Sequence, residues 1–129
     1  MITSGDAANI IYRDLTDFSI KERYHAEDEP TGEVLTERIV IHVKPQTPET
    51  YWEENFVEVN LCVPDENGQK NKVRTDELEK EAKTFFDKVG EYDGSHYIYS
   101  WKSIGTEEDV DMKCHYVNVR ILFEVLNVK

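Results

Sequence analysis

FVEVNLCV (56–63), PDENGQKNKVR (64–74) and TDELEKEAKTFFDKV (75–89) follow one another directly and read as strand, polar loop and helix. In the first, Val57, Val59, Leu61 and Val63 alternate with Phe56, Glu58, Asn60 and Cys62, which puts the valines and Leu61 on one face of a strand. In the third, Leu78, Ala82, Phe85, Phe86 and Val89 recur at helical spacing and form one apolar stripe. Asp76 is placed to cap the helix, with Glu79 closing a capping box, and Gly90 is placed to end it in a left-handed turn. A one-faced strand and a one-striped helix can each bury their apolar side against the other. This pair sets the core, and the rest of the chain must extend or shield it.

Towards the N-terminus, Ala7, Ile11, Leu15 and Phe18, with Ile10 beside them, predict a helix over about 6–17 with Ser4 or Asp6 as its cap. Residues 20–26 read as a strand, 27–32 as an acidic turn, and 34–44 as a second strand. In the second strand Ile39, Ile41 and Val43 oppose Arg38, Val40, His42 and Lys44. A connection carrying Tyr51 and Trp52 leads into the central strand.

After the helix, Asp93-Gly94 marks a turn, and Tyr97, Tyr99 and Trp101 alternate with Ile98, Ser100 and Lys102 in a further strand. SIGTEEDVDM (103–112) reads as an acidic connection. The last strand carries Val117, Val119, Ile121, Phe123 and Val125 on one face. The predicted fold is a single α+β domain over 1–129: a mostly antiparallel sheet of four to five strands with two helices, in the order α-β-β-β-α-β-β.

At 129 residues one core suffices without staples. A net charge of −12 argues against a grip on nucleic acid, which needs clustered Lys and Arg on phosphates. Two cysteines, Cys62 and Cys114, fall in predicted strands and read as reduced core residues rather than a disulfide framework. No apolar run is long enough to cross a bilayer, and no basic segment leads into an apolar one at the N-terminus, so synthesis inside the cell is expected.

The motifs of catalysis are missing from the sequence: there is no GxSxG, P-loop or GxGxxG, and paired carboxylates fall in polar connections where water keeps them ordinary. The expectation is therefore a protein that is not an enzyme and holds no cofactor. His25, His42, His96 and His115 show no chelating spacing, and adjacent Cys114 and His115 point to opposite faces of a strand, so no metal is expected. Asp65-Glu66-Asn67-Gly68 lacks the ligand spacing of a calcium loop, with Lys70 and Lys72 intervening, and reads as a tight turn. Lys70, Lys72 and Arg74 form a basic cluster suited to pairing with the acidic run Glu107, Glu108, Asp109 of a neighbouring copy.

The order of elements resembles that of the tail terminator and tail-completion proteins of long-tailed bacteriophages and prophages. The stretches that carry it are the short leading helix, FVEVNLCV, PDENGQKNKVR, TDELEKEAKTFFDKV and the closing strand pair around YIYSWK and YVNVRILFEV. The resemblance implies an antiparallel sheet flanked by helices and a homo-oligomeric ring, a hexamer in that family, capping the tail tube. It implies tail and connector proteins as partners, and a place in the bacterial cytoplasm during assembly and in the virion afterwards. The alternative is a stand-alone binding module or small enzyme with a pocket between sheet and helices.

Overall fold

The computed structural model describes residues 4–43 and 54–125. Its chain order is α1 (Ser4–Asp14), a 3-10 turn (Leu15–Asp17), β1 (Arg23–His25), a second 3-10 turn (Ala26–Asp28), β2 (Arg38–Val43), β3 (Glu54–Pro64), α2 (Lys72–Phe85), β4 (Val89–Tyr92), β5 (Ser95–Asp109) and β6 (Cys114–Val125). Among the described residues these strands form one six-stranded sheet in the order β1-β2-β3-β6-β5-β4. β1 runs parallel to β2, and every other neighbouring pair is antiparallel. The class is α+β as expected, but the sheet has six strands rather than four to five: VGEY adds the unexpected β4, and β1 pairs in parallel at the other edge.

Both helices lie on the face set by the central alternation. Val57, Val59 and Leu61 of β3 are buried with Ile39 and Ile41 of β2 and Val117, Val119, Ile121 and Phe123 of β6. α1 brings Ala7, Ile10 and Ile11 over the β1–β2 side, and Leu15 and Phe18 extend its stripe. α2 crosses the sheet and packs foremost on β6, then β5 and β3, with Leu78, Ala82 and Phe86 buried. The partner of the α2 stripe is thus mainly β6 rather than the β3 face expected for it. A smaller cluster on the opposite face joins Val34, Val40, Cys62 and Cys114. Both cysteines are free and buried.

α2 begins about one and a half turns earlier than the capping box at Asp76 predicts. The Asn71 side-chain oxygen accepts from the Arg74 amide at 3.2 Å, so the N-cap is Asn71. The helix also stops sooner, because Phe86 leaves helical geometry and Val89 starts β4, where it is 58% exposed. The turn expected at 65–68 is present: Glu66 and Gln69 exchange backbone hydrogen bonds of 2.8 and 2.9 Å around Asn67 and Gly68. Both residues have positive φ, 53° and 74°, as a tight Asn-Gly turn requires. Asp93 and Gly94 do the same between β4 and β5. The connection bearing Lys44, Tyr51 and Trp52 lies outside the described residues.

Gly90 does not end a helix. It sits in β4 opposite Tyr97, and a Cβ there would lie 2.3 Å from the tyrosine oxygen and 2.4 Å from its Cζ. The Tyr97 ring is held in turn by Tyr99 and Phe123, with centroids at 5.4 and 5.0 Å, so it has little room to withdraw. Gly90→Ala should therefore destabilise the protein by about 1–3 kcal/mol, the usual range for overpacking. Urea unfolding checks this, and an unchanged midpoint would mean the ring swings aside freely.

Candidate functional site

The basic cluster read from the sequence is divided by the fold. Arg74 belongs to the first turn of α2 and forms a two-pronged pair with Glu37, Nε to Oε2 at 2.7 Å and Nη2 to Oε1 at 2.9 Å. Its Nη2 also donates to Ser19 Oγ at 3.1 Å. The hydrogen bond and charge of Glu37 hold the guanidinium pKa above its ordinary value against partial burial. Arg74 therefore ties α2 to the segments around Ser19 and Glu37, and is not available to a neighbouring copy. Lys72 opens α2 and pairs with Asp76 at 3.0 Å along the helix surface. Lys70 is exposed just ahead of Asn71.

The acidic run is divided too. Residues 103–109 are not a connection but the outer half of β5, and the turn to β6 spans only 110–113. On a strand, neighbours alternate, so Glu107 and Asp109 share a face while Glu108 takes the other. Glu107 stands opposite Tyr116 and Asp109 opposite Cys114. Asp109 Oδ1 accepts from the Met112 amide at 3.1 Å and so shapes the turn. Glu108 stands opposite His115.

That last pair belongs to a three-residue cluster. β3 ends at Pro64, and the Asp65 amide donates to the Lys113 carbonyl at 3.1 Å, which brings Asp65 beside the start of β6. Asp65 Oδ1 lies 2.6 Å from His115 Nδ1, and Glu108 Oε2 lies 3.8 Å from His115 Nε2. The Asp65 and His115 side chains are 11% and 16% exposed, whereas Glu108 is 55% exposed. The three ligand-type atoms all lie within 4.8 Å of one another. Asp65 and Glu108 also line a groove of about 580 Å³ with Glu33, Leu35, Gly68 and Lys113. His115, for which no spacing in the sequence names a partner, is thus flanked by two carboxylates.

The groove lies at the ends of β3, β5 and β6, not between sheet and helices. The Asn-Gly turn just before Lys70 borders the same groove as Glu108, so the loop leading to the basic residues and the acidic strand end are near neighbours within one chain.

A second feature concerns the sheet edge. β4 pairs with β5 over 95–98, and one further bond runs from the Tyr99 amide to the Lys88 carbonyl at 3.1 Å. Among the described residues, β5 beyond Tyr99 pairs with β6 alone. Among the described residues an outer edge some ten residues long, 100–109, thereby has no strand partner. It carries Trp101, 39% exposed, and a bulge between Trp101 and Ser103. Exposed Lys102, Glu107 and Glu108 are the kind of charged residues that discourage indiscriminate edge pairing.

No family model and no curated protein matches this chain. A solved structure known by the identifier-like name "Np_888769.1" is similar, with a TM-score of 0.61 at 12% identity, over 98% of this chain and 96% of that one. At that identity the likeness is one of fold, and it shows that the whole described architecture recurs on a very different sequence. No helix among the described residues is long and apolar enough to cross a membrane.

Proposed function

We propose that this chain is a non-catalytic structural subunit that assembles with copies of itself through its sheet edges, as the resemblance to phage tail terminator proteins implies. The observation that carries the reading is the outer half of β5, which has no strand partner among the described residues. A row of unpaired backbone donors and acceptors is a template for strand addition. The opposite end of the strand order is closed by a different element, the three-residue β1. A contact between two unlike edges is head-to-tail, and such contacts close into rings when the rotation per subunit permits. The resemblance implies a sheet flanked by helices, and a largely antiparallel sheet carrying two helices supports the reading.

Within this reading the ring, a hexamer at the head–tail junction, meets tail or connector proteins. The charge of −12 keeps the subunits from binding the phosphates of passing DNA. Lys70 and Lys72 supply a salt-sensitive contribution to the contact with acidic β5 ends of neighbouring copies, while Arg74 does not. Exposed pairs of this kind are worth little singly.

Light scattering coupled to size exclusion, with negative-stain imaging, should give a discrete ring, and hydrogen exchange should show the amides of 100–109 protected in it. Lys70→Ser with Lys72→Ser should leave the melt unchanged and weaken association, more so at low salt where the lost attraction is largest. A protein that stays monomeric at high concentration, with those edge amides exchanging freely, would overturn the proposal.

A further inference from the structure

Both ring nitrogens of His115 face carboxylates, Asp65 at 2.6 Å and Glu108 at 3.8 Å. With Asp65 as a carboxylate, the 2.6 Å contact is a hydrogen bond in which Nδ1–H donates to Asp65 Oδ1. In its neutral form the ring presents the bare lone pair of Nε2 to Glu108. Their separation of 3.8 Å is beyond hydrogen-bond reach and leaves room for a cation between them. The same separation suits a shared metal ion: bonds of about 2.1 Å from each atom meet at an angle of about 130°.

We propose that Asp65, Glu108 and His115 form a site for a divalent first-row transition ion, zinc in the first instance. His115 Nε2 and Glu108 are the ligands. Asp65 is a positioning residue that fixes the tautomer and orientation of the ring, as carboxylates behind ligating histidines commonly do. The imidazole ligand favours zinc and its neighbours over magnesium or calcium, which prefer oxygen throughout. The remaining positions open on the groove, where water or a donor group of a bound molecule completes the shell. Lys113, on the same groove, pairs with Glu33 at 4.0 Å.

Burial supports the division of roles. Asp65 and His115 are largely enclosed and their backbones are held by β3 and β6, so the ring is set before any ion arrives. Glu108, on an exposed strand, can close by a few tenths of an ångström without disturbing the core. The site lies within one chain, so it stands or falls independently of the assembly reading above.

The test is calorimetric titration of zinc chloride into the full chain after chelator treatment, repeated with magnesium. One zinc per chain should bind, with little response to magnesium. His115→Gln and Glu108→Gln should each weaken binding tenfold or more, and Asp65→Asn by about 10–100-fold, the range for loss of a supporting carboxylate. His96→Gln, on the β4–β5 hairpin, should bind as the parent does. Cobalt titration read by NMR should shift the His115 ring signals first. Glu108→Gln alters an exposed side chain and keeps the fold, so its result stands even if a His115 variant is unstable. Absence of saturable zinc uptake would overturn the proposal. Uptake unchanged in both His115→Gln and Glu108→Gln would overturn it equally.

Discussion

Phe86→Ala should lower the free energy of unfolding by about 3–5 kcal/mol, the range for emptying a fully enclosed aromatic site. The ring is 0% exposed and sits where α2 ends over the sheet. It packs edge-on to Phe85 and to Tyr99, with centroids at 4.9 and 5.7 Å. Its removal opens a void beneath the helix end that neighbouring rings, themselves fixed, cannot fill. A domain of this size holds about 5–15 kcal/mol in all, so the variant loses a large share of it. Phe85→Ala should cost clearly less. Phe85 is only partly buried, its ring meeting Phe18 at 5.3 Å and the Lys88 ammonium at 3.9 Å. Urea unfolding of both variants with equal slopes would rank them, and a Phe86→Ala loss no larger than that of Phe85→Ala would refute the packing described.

That ranking shows where helical periodicity stops being informative. The stripe Leu78, Ala82, Phe85, Phe86, Val89 names the right face, but adjacent residues 85 and 86 cannot both point at the sheet. The choice between them depends on where the helix ends. It ends at Phe85, so the backbone turns at Phe86 and drops that ring inward. Val89 has already become a strand residue. The short strand β4 was not legible because VGEY has four residues, a central glycine and no alternation of its own. It exists because the Asp93-Gly94 turn folds it back on β5 and because Tyr97 fills the space above Gly90.

The strands with long alternation were legible. Val57 to Val63 in β3 and Val117 to Val125 in β6 face the core as their period of two dictates. The outer half of β5 was not, since Gly105, Thr106 and three acids have the composition of a loop. It is held as a strand by register with β6 instead. The His115 cluster was hidden for a related reason. Asp65 and His115 are 50 positions apart, and no spacing rule within one element joins them. The signal that could have found it is the turn at 110–113: once Asp109 is set opposite Cys114, Glu108 must stand opposite His115. Arg74 shows the converse error. A run of three basic residues looked like one surface patch, but helix geometry turned one of them towards Glu37.

Asp14→Ala should destabilise the protein by about 2–5 kcal/mol, because two buried hydroxyls lose the carboxylate they share, at about 1–3 kcal/mol for each buried group left unsatisfied, and the bond between Tyr99 and Tyr97 offsets a part. Asp14 is the last residue of α1, where the helix dipole disfavours a carboxylate. Its hydrogen bonds account for its place there. Asp14 Oδ2 accepts from Tyr97 at 2.5 Å and from Tyr99 at 2.8 Å, and Arg13 Nη2 donates to the Tyr97 oxygen at 2.8 Å. The cluster thus fastens the C-terminal end of α1 to β5 through tyrosines that are 1% and 0% exposed. Burial first, and then the Asp14 carboxylate, push the Tyr97 hydroxyl up to about 12 and the Tyr99 hydroxyl higher still. The folded protein therefore holds these protons more tightly than the unfolded chain, whose tyrosines titrate near 10. The stability they contribute is present in full below about pH 10 and is lost as pH rises towards and through about 12. Tyr99→Phe should flatten that alkaline loss. It should also recover part of the stability of Asp14→Ala, because phenylalanine leaves no hydroxyl to satisfy. The check is a double-mutant cycle of Asp14→Ala and Tyr99→Phe by urea unfolding at neutral pH, with the parent and Tyr99→Phe followed again from pH 9 to 12. Strict additivity of the two substitutions would mean that the carboxylate and the buried hydroxyl do not act as one contact.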